Sequence, residues 1–169
     1  RPEPDAQELA EVAALIRAAE RPVIIAGGGV IHSGAEDALA AFASRHAIPV
    51  AETQAGKSAL AQAHGMNFGA AGVDGAASAN AALKAADLVI GIGTRLQDFT
   101  TGSRTIFAPA ARLVSVNIHG YDAAKHGATA LVADAKVALE KLGALLGDYR
   151  ARPDTAARAA WLQAVDAKC

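Results

Sequence analysis

The run Ala86-Asp87-Leu88-Val89-Ile90-Gly91-Ile92-Gly93-Thr94-Arg95 decides the fold. Its apolar middle lacks the polar alternation of a half-exposed strand. It must therefore be buried on both faces, the condition of a central strand in a parallel sheet. It then ends in glycines and a cation, and open parallel sheets bind ligands at such carboxyl ends. Working outward, Pro22-Val23-Ile24-Ile25-Ala26, Ile48-Pro49-Val50-Ala51, Leu113–Ile118 and Thr129–Val132 read as further strands.

Helical patterns lie between them. Asp5 caps a helix whose apolar face is Leu9, Val12, Ala13, Ile16 and Ala19. A second helix, from about Gly34 to His46, turns Leu39, Phe42 and Ala43 inward, and His46 sits near its end, where a cation is favourable. Ala76–Ala86 is helical, and Asp134 caps a helix with Ala138, Leu142, Leu145 and Leu146 on one face. Glu52 through Asp74 reads as a loop with one short helix near Ser58–Ala63. Strands alternating with helices at this interval predict an α/β fold, a doubly wound and mostly parallel sheet with helices on both faces.

The chain has 169 residues, enough for one domain with an extension. Its 45 alanines make much of the apolar content small, so the core must come from the Val, Ile and Leu runs. Arg1-Pro2-Glu3-Pro4 reads as a linker from a missing N-terminal domain, residues 5–147 as the domain itself, and 148–169 as a linker and a helix toward a missing C-terminal domain. That last helix, Pro153–Lys168, carries Trp161 and Val165. The net charge of −1 with no basic stripe argues against nucleic acid. The apolar runs Val23–Val30 and Ala85–Ile92 are too short to span a bilayer. Cys169 is the single cysteine, which suits a reducing cytoplasm.

Three glycine-bearing segments follow strands. Gly27-Gly28-Gly29 fits the first part of a dinucleotide fingerprint, with His32 where the third glycine belongs and Glu52 as the candidate ribose acid. Its simpler reading is a sharp turn, since glycine tolerates positive φ. Ala51-Glu52-Thr53-Gln54-Ala55-Gly56-Lys57-Ser58 fits a relaxed phosphate loop, with Asp134 as the acid that would position magnesium. Only Gly56 relaxes that backbone, and Asp134 is equally a helix cap. In Gly93-Thr94-Arg95-Leu96-Gln97-Asp98, Arg95 either holds a phosphate or pairs with Asp98 as a clamp. The five histidines have no metal-ligand spacing, and no serine sits in a nucleophile elbow. No catalytic residue and no metal ligand is assigned.

Arg21 to Leu146, with its glycine triplet, its A-D-L-V-I-G-I-G-T-R run and the strand leading into the Asn117–Asp122 turn, resembles the central domain of thiamine-diphosphate enzymes such as acetolactate synthase. Within that family, the stretches from Glu52 to Ala59 and from Gly93 to Gly102 resemble the hydrolases that open a trihydroxycyclohexane-1,2-dione ring in inositol breakdown. The resemblance implies a Rossmann-like sheet of six parallel strands. It also implies a non-catalytic middle domain of a longer enzyme that binds thiamine diphosphate and Mg2+ on its other domains. The parent would be a homodimer or homotetramer, and this chain alone would be inactive. Gly27, Gly28, Gly29, Gly93, Thr94 and Arg95 would form a vestigial nucleotide cleft. The family's acidic positions are Asn117 and His119 here, and a loop histidine is Asp74, so the resemblance implies that flavin or ADP is held weakly or not at all. An arginine that faces a substrate carboxylate in acetolactate synthase is Phe99 here, which suits an uncharged cyclic dione. Gln54, Asp98 and Phe99 are the candidates for the substrate rim.

Overall fold

The computed structural model describes residues 1–151. The helix read at Pro153–Lys168, with Trp161, lies outside them. Six strands form one all-parallel sheet: β1 (Pro22–Ala26), β2 (Val50–Glu52), β3 (Asn67–Ala70), β4 (Leu88–Ile92), β5 (Arg112–Asn117) and β6 (Thr129–Val132), in the order β3-β2-β1-β4-β5-β6. Helices α1 (Ala6–Ala18), α2 (Gly28–His32), α3 (Glu36–His46), α4 (Ala77–Ala85), α5 (Asp98–Thr101), α6 (Gly120–Ala123) and α7 (Ala135–Leu146) complete the domain. The strand order reverses between β1 and β4, which pair from Pro22 against Leu88 to Ala26 against Ile92. This reversal is the point where sheets of this order open a crevice for ligands.

Burial on both faces follows the pleat. Ile24, Ile90, Ile92, Val114, Val116 and Leu131 face α1, α3 and α7, while Val23, Ile25, Val89 and Leu113 face α4, Leu96 and Phe107. Small side chains let α4 lie close, with Ala79 and Ala82 buried in its inner face. The caps behave as their residues dictate. Asp5 accepts from Gln7 N–H at 2.8 Å and Glu8 N–H at 3.1 Å, and Asp134 accepts from Lys136 N–H at 3.0 Å and Val137 N–H at 3.3 Å.

Several local expectations are corrected. Five strands are legible from apolar runs, and β3 is an additional, edge strand with only Phe68 buried. No helix forms at Ser58–Ala63; a single tight turn of 3-10 type occupies Gln54–Gly56 and irregular turns follow. The helix expected from about Gly34 to His46 forms as α3, and α2 is an additional short helix that begins within the glycine triplet at Gly28. Leu145, placed on the apolar face of α7, is 42% exposed. Residues 1–4 lie against α7: Asp134 N–H donates to the Pro2 carbonyl at 3.0 Å, and Lys141 pairs with Glu3 at 2.6 Å.

His46 is the most consequential correction. It is fully buried, with its ring edge-on to Phe42 and its Nδ1–H donating to the Tyr149 carbonyl at 2.7 Å. Nε2 is buried without a partner among the described residues. Tyr149 in turn donates its hydroxyl to the Ile16 carbonyl at 2.7 Å, and Ala151 N–H donates to the His46 carbonyl at 2.8 Å. Burial, with a smaller contribution from Arg45 and Arg150, pushes the imidazole pKa below its ordinary 6.5, against the Tyr149 hydrogen bond, so His46 is held neutral and is no helix-end cation. A base whose pKa is lower in the folded chain stabilises the fold fully above the unfolded value. That contribution is lost as pH falls through the folded value. The melting temperature is therefore expected to fall as pH drops below about 6.5, and His46→Leu is expected to flatten that decline. Thermal melts of both proteins as pH is lowered provide the check.

Candidate functional site

The three glycine segments converge at the strand-order reversal. Gly27 N–H donates to the Ile92 carbonyl and Gly29 N–H to the Gly93 carbonyl, each at 2.9 Å. A Cβ on Gly29 would stand 2.6 Å from Gly93 Cα, and one on Gly27 would strike the Gly93 carbonyl oxygen and lie 2.7 Å from Thr94 Cβ. Gly56 is seated the same way, its Cβ position blocked by the Ala26 carbonyl. Among the triplet none has positive φ, so its glycines serve close backbone approach; the sharp-turn reading is replaced. Gly93 has φ +61 and a Cβ there would be 2.7 Å from Gly29 Cα, so both geometry and space demand glycine.

Arg95 follows on a loop fixed from below. Leu96 adopts φ +46, uncommon for a branched side chain, with that side chain buried against Gly91. Its carbonyl accepts from His126 Nε2–H at 2.9 Å, which assigns the His126 tautomer. Leu96 is not among the residues expected at the site; an apolar residue inside a polar mouth loop is the signal that marks it. Arg95 is exposed and forms no ion pair with Asp98 or any other partner among the described residues, so the clamp reading is replaced by a free cation.

Together with Gly29, His32, Ser33, Asn117, His119, Asp122 and Asp134, Arg95 and Gly93 line a half-open cleft of about 430 Å³. The cleft lies at the carboxyl ends of β1, β4, β5 and β6. Its buried polar groups are internally engaged. Asn117 Nδ2 donates to the Thr94 carbonyl at 3.1 Å and its Oδ1 accepts from His119 N–H at 3.1 Å. Asp134 accepts from Arg1 at 2.8 Å besides its capping bonds. Burial pushes the Asp134 carboxyl up, yet the Arg1, Val137 and Lys136 donors outweigh it and the net shift is downward. Asp134 is thus a helix cap and not a magnesium acid. Glu52, the candidate ribose acid, accepts from Leu60 N–H at 2.9 Å. With no helix behind Lys57, the phosphate-loop reading falls as well.

The rim residues stand on the other side of the reversal. Phe99 is 44% exposed and its carbonyl accepts from Val73 N–H at 3.0 Å, so the loops after β3 and β4 are joined. Val73, 62% exposed, extends this apolar lip. Gln54 and Asp98 are exposed, and no hydrogen bond joins their side chains to each other or to the loops among the described residues. Gln54, Asp98 and Phe99 do not line the cleft beside Arg95.

The residues do not fit a diphosphate-bound metal. Among the described residues no three His, Cys, Asp or Glu side chains gather where they could hold a metal ion, and the buried carboxylates Glu52 and Asp134 already accept backbone N–H groups. The pattern of the thiamine pyrophosphate enzyme central domain matches residues 9–142. The chain belongs to this family. Relatives with the name 3D-(3,5/4)-trihydroxycyclohexane-1,2-dione hydrolase are similar throughout this central domain. The protein of Geobacillus thermodenitrificans is 43% identical over 88% of this chain and 23% of its own length. Those of Bacillus subtilis (43%, over 94% of this chain and 25% of the relative) and Clostridium perfringens (45%, over 83% and 22%) agree. The chain thus spans about a quarter of these relatives' length. Among solved structures, a Mycobacterium smegmatis protein classed with the thiamin diphosphate-dependent enzymes superposes with a TM-score of 0.74 at 26% identity, covering 92% of this chain and 30% of that one.

The interlock at the reversal gives a graded expectation. Gly93→Ala must displace Gly29 as well as adopt a strained φ, and is expected to cost about 3 kcal/mol or more. Gly34 has φ +58 but nothing within 4 Å of its Cβ position, so Gly34→Ala is expected to cost only about 1 kcal/mol. Denaturant unfolding of the two variants measures the difference.

Proposed function

We infer that this domain serves a thiamine-diphosphate-dependent hydrolase that opens trihydroxycyclohexane-1,2-dione, as scaffold and as part of the substrate rim. The observation that carries the reading is the 43–45% identity to hydrolases of that name, sustained over 83–94% of the chain. In the ring opening, the bond between the two carbonyl carbons breaks. Water's hydroxyl joins one carbon to make a carboxylic acid, and its hydrogen ends on the other to make an aldehyde. Thiamine diphosphate supplies carbonyl activation and Mg2+ holds its diphosphate. Both belong, in this reading, to flanking domains of a longer cytoplasmic chain that works as a homodimer or homotetramer.

The contribution of this chain is placement. The lip formed by Phe99 and Val73 is apolar and fixed by the Val73–Phe99 hydrogen bond. It gives a neutral dione an uncharged border, whereas a 2-oxo acid entering there would leave its carboxylate without a cation, which is costly on desolvation. Exposed, unpartnered side chains at Gln54 and Asp98 are available to hydroxyls of the ring.

Full-length enzyme with thiamine diphosphate and Mg2+ is expected to convert the dione to a deoxy sugar acid, and the 169-residue chain alone is expected to convert none. Turnover by the short chain, or a full-length enzyme that ignores the dione and consumes pyruvate, would defeat the reading. Within the full-length enzyme Phe99→Arg is expected to lower kcat/KM for the dione by roughly tenfold or more, since a charge replaces the apolar border.

A further inference from the structure

The cleft beside Arg95 differs from a nucleotide site in what it leaves free. A ribose presents hydroxyl donors and is bound through an acceptor at a strand end. Here Glu52 Oε1 accepts from Leu60 N–H, Asn117 Oδ1 from His119 N–H, and Asp134 Oδ1 from Lys136 N–H, Val137 N–H and Arg1. Asp122 faces His119 at 4.0 Å. The cleft also presents a free cation. Arg95 has no partner among the described residues, and His32 on the same wall has none either. The strained Leu96 backbone is held by its buried side chain and by His126, so the loop that carries the cation is held before any ligand arrives. The cleft's 430 Å³ lies at the small end of ligand sites, which run from about 300 to 1,000 Å³. It suits a six-carbon molecule better than a dinucleotide.

We propose that this cleft binds a compact sugar-acid carboxylate against Arg95, in place of a nucleotide. The identity of the acid rests on the ring-opening reading above. The dione is neutral and its ring-opened product is a carboxylate, so a cation that the substrate cannot use distinguishes product from substrate. A guanidinium meets a carboxylate through two parallel N–H donors, which gives the site geometric selectivity as well as charge. Arg95 and Leu96 lead directly into Asp98 and Phe99, so a product held at Arg95 would sit on the same loop as the rim.

Calorimetric titration of the 169-residue chain with D-glucuronate tests the proposal, with myo-inositol as the neutral control and inorganic phosphate, ADP and flavin adenine dinucleotide as competitors. Glucuronate is expected to bind where inositol does not, and Arg95→Gln is expected to weaken it roughly tenfold or more. Arg95 is exposed, so an unchanged melting curve is expected to separate lost binding from lost fold. Absence of glucuronate binding, a titration indifferent to Arg95→Gln, or tighter binding of phosphate, ADP or the flavin would overturn the proposal. The ring-opening reading fails separately, when full-length enzyme leaves the dione intact.

Discussion

Gly29 and Gly93 touch backbone to backbone, and the mouth of the sheet is built from that contact. Gly29 N–H reaches the Gly93 carbonyl at 2.9 Å, and no side chain could stand between them. The contact closes the gap where the strand order reverses, so the first turn of α2 and the loop after β4 become one surface. Arg95 and Leu96 leave from one side of it and the Gly56 turn packs against the other. In other doubly wound sheets a pyrophosphate lies beside a glycine-rich turn at this reversal; here that turn packs directly on the Gly93 backbone.

The central strands were legible because a strand buried on both faces has no polar position to disguise it. Val23–Ile25 and Leu88–Ile92 could be nothing else in a chain with helices on either side. β3 was hidden for the opposite reason: Asn67-Phe68-Gly69-Ala70 buries one side chain, and its place is fixed by Val50 N–H to Met66 O and Ala71 N–H to Glu52 O. α2 was hidden by its own glycines, which disfavour helix except where backbone must approach backbone. The glycine segments themselves were legible as a site, but their purpose was not, since proximity between residues 29 and 93 is a property of the fold. His46 is the same lesson in electrostatics. Its place at a helix end suggested a cation, and Tyr149, a hundred residues along the chain, buries it as a neutral donor.

A scaffold domain can be recognised by the satisfaction of its own polar groups. Catalytic carboxylates are held in poised, perturbed states near reacting atoms. Here Glu52, Asn117 and Asp134 are consumed in holding loops and a helix end, which makes the mouth rigid and chemically quiet. Two features stand out from that quiet surface, the unpaired Arg95 and the apolar lip of Phe99 and Val73. They lie on opposite sides of the reversal, so the proposed substrate rim and the proposed anion site occupy separate sides of the mouth.

The central claim is that this domain shapes the chemistry without taking part in it. A crystal structure of the full-length protein with thiamine diphosphate, Mg2+ and an unreactive dione analogue measures that directly. The account predicts the analogue bordered by the Phe99 loop, with every metal and diphosphate ligand coming from other segments. A carboxylate or imidazole of this domain coordinating the metal, or bonded to the reacting carbonyl, would contradict it.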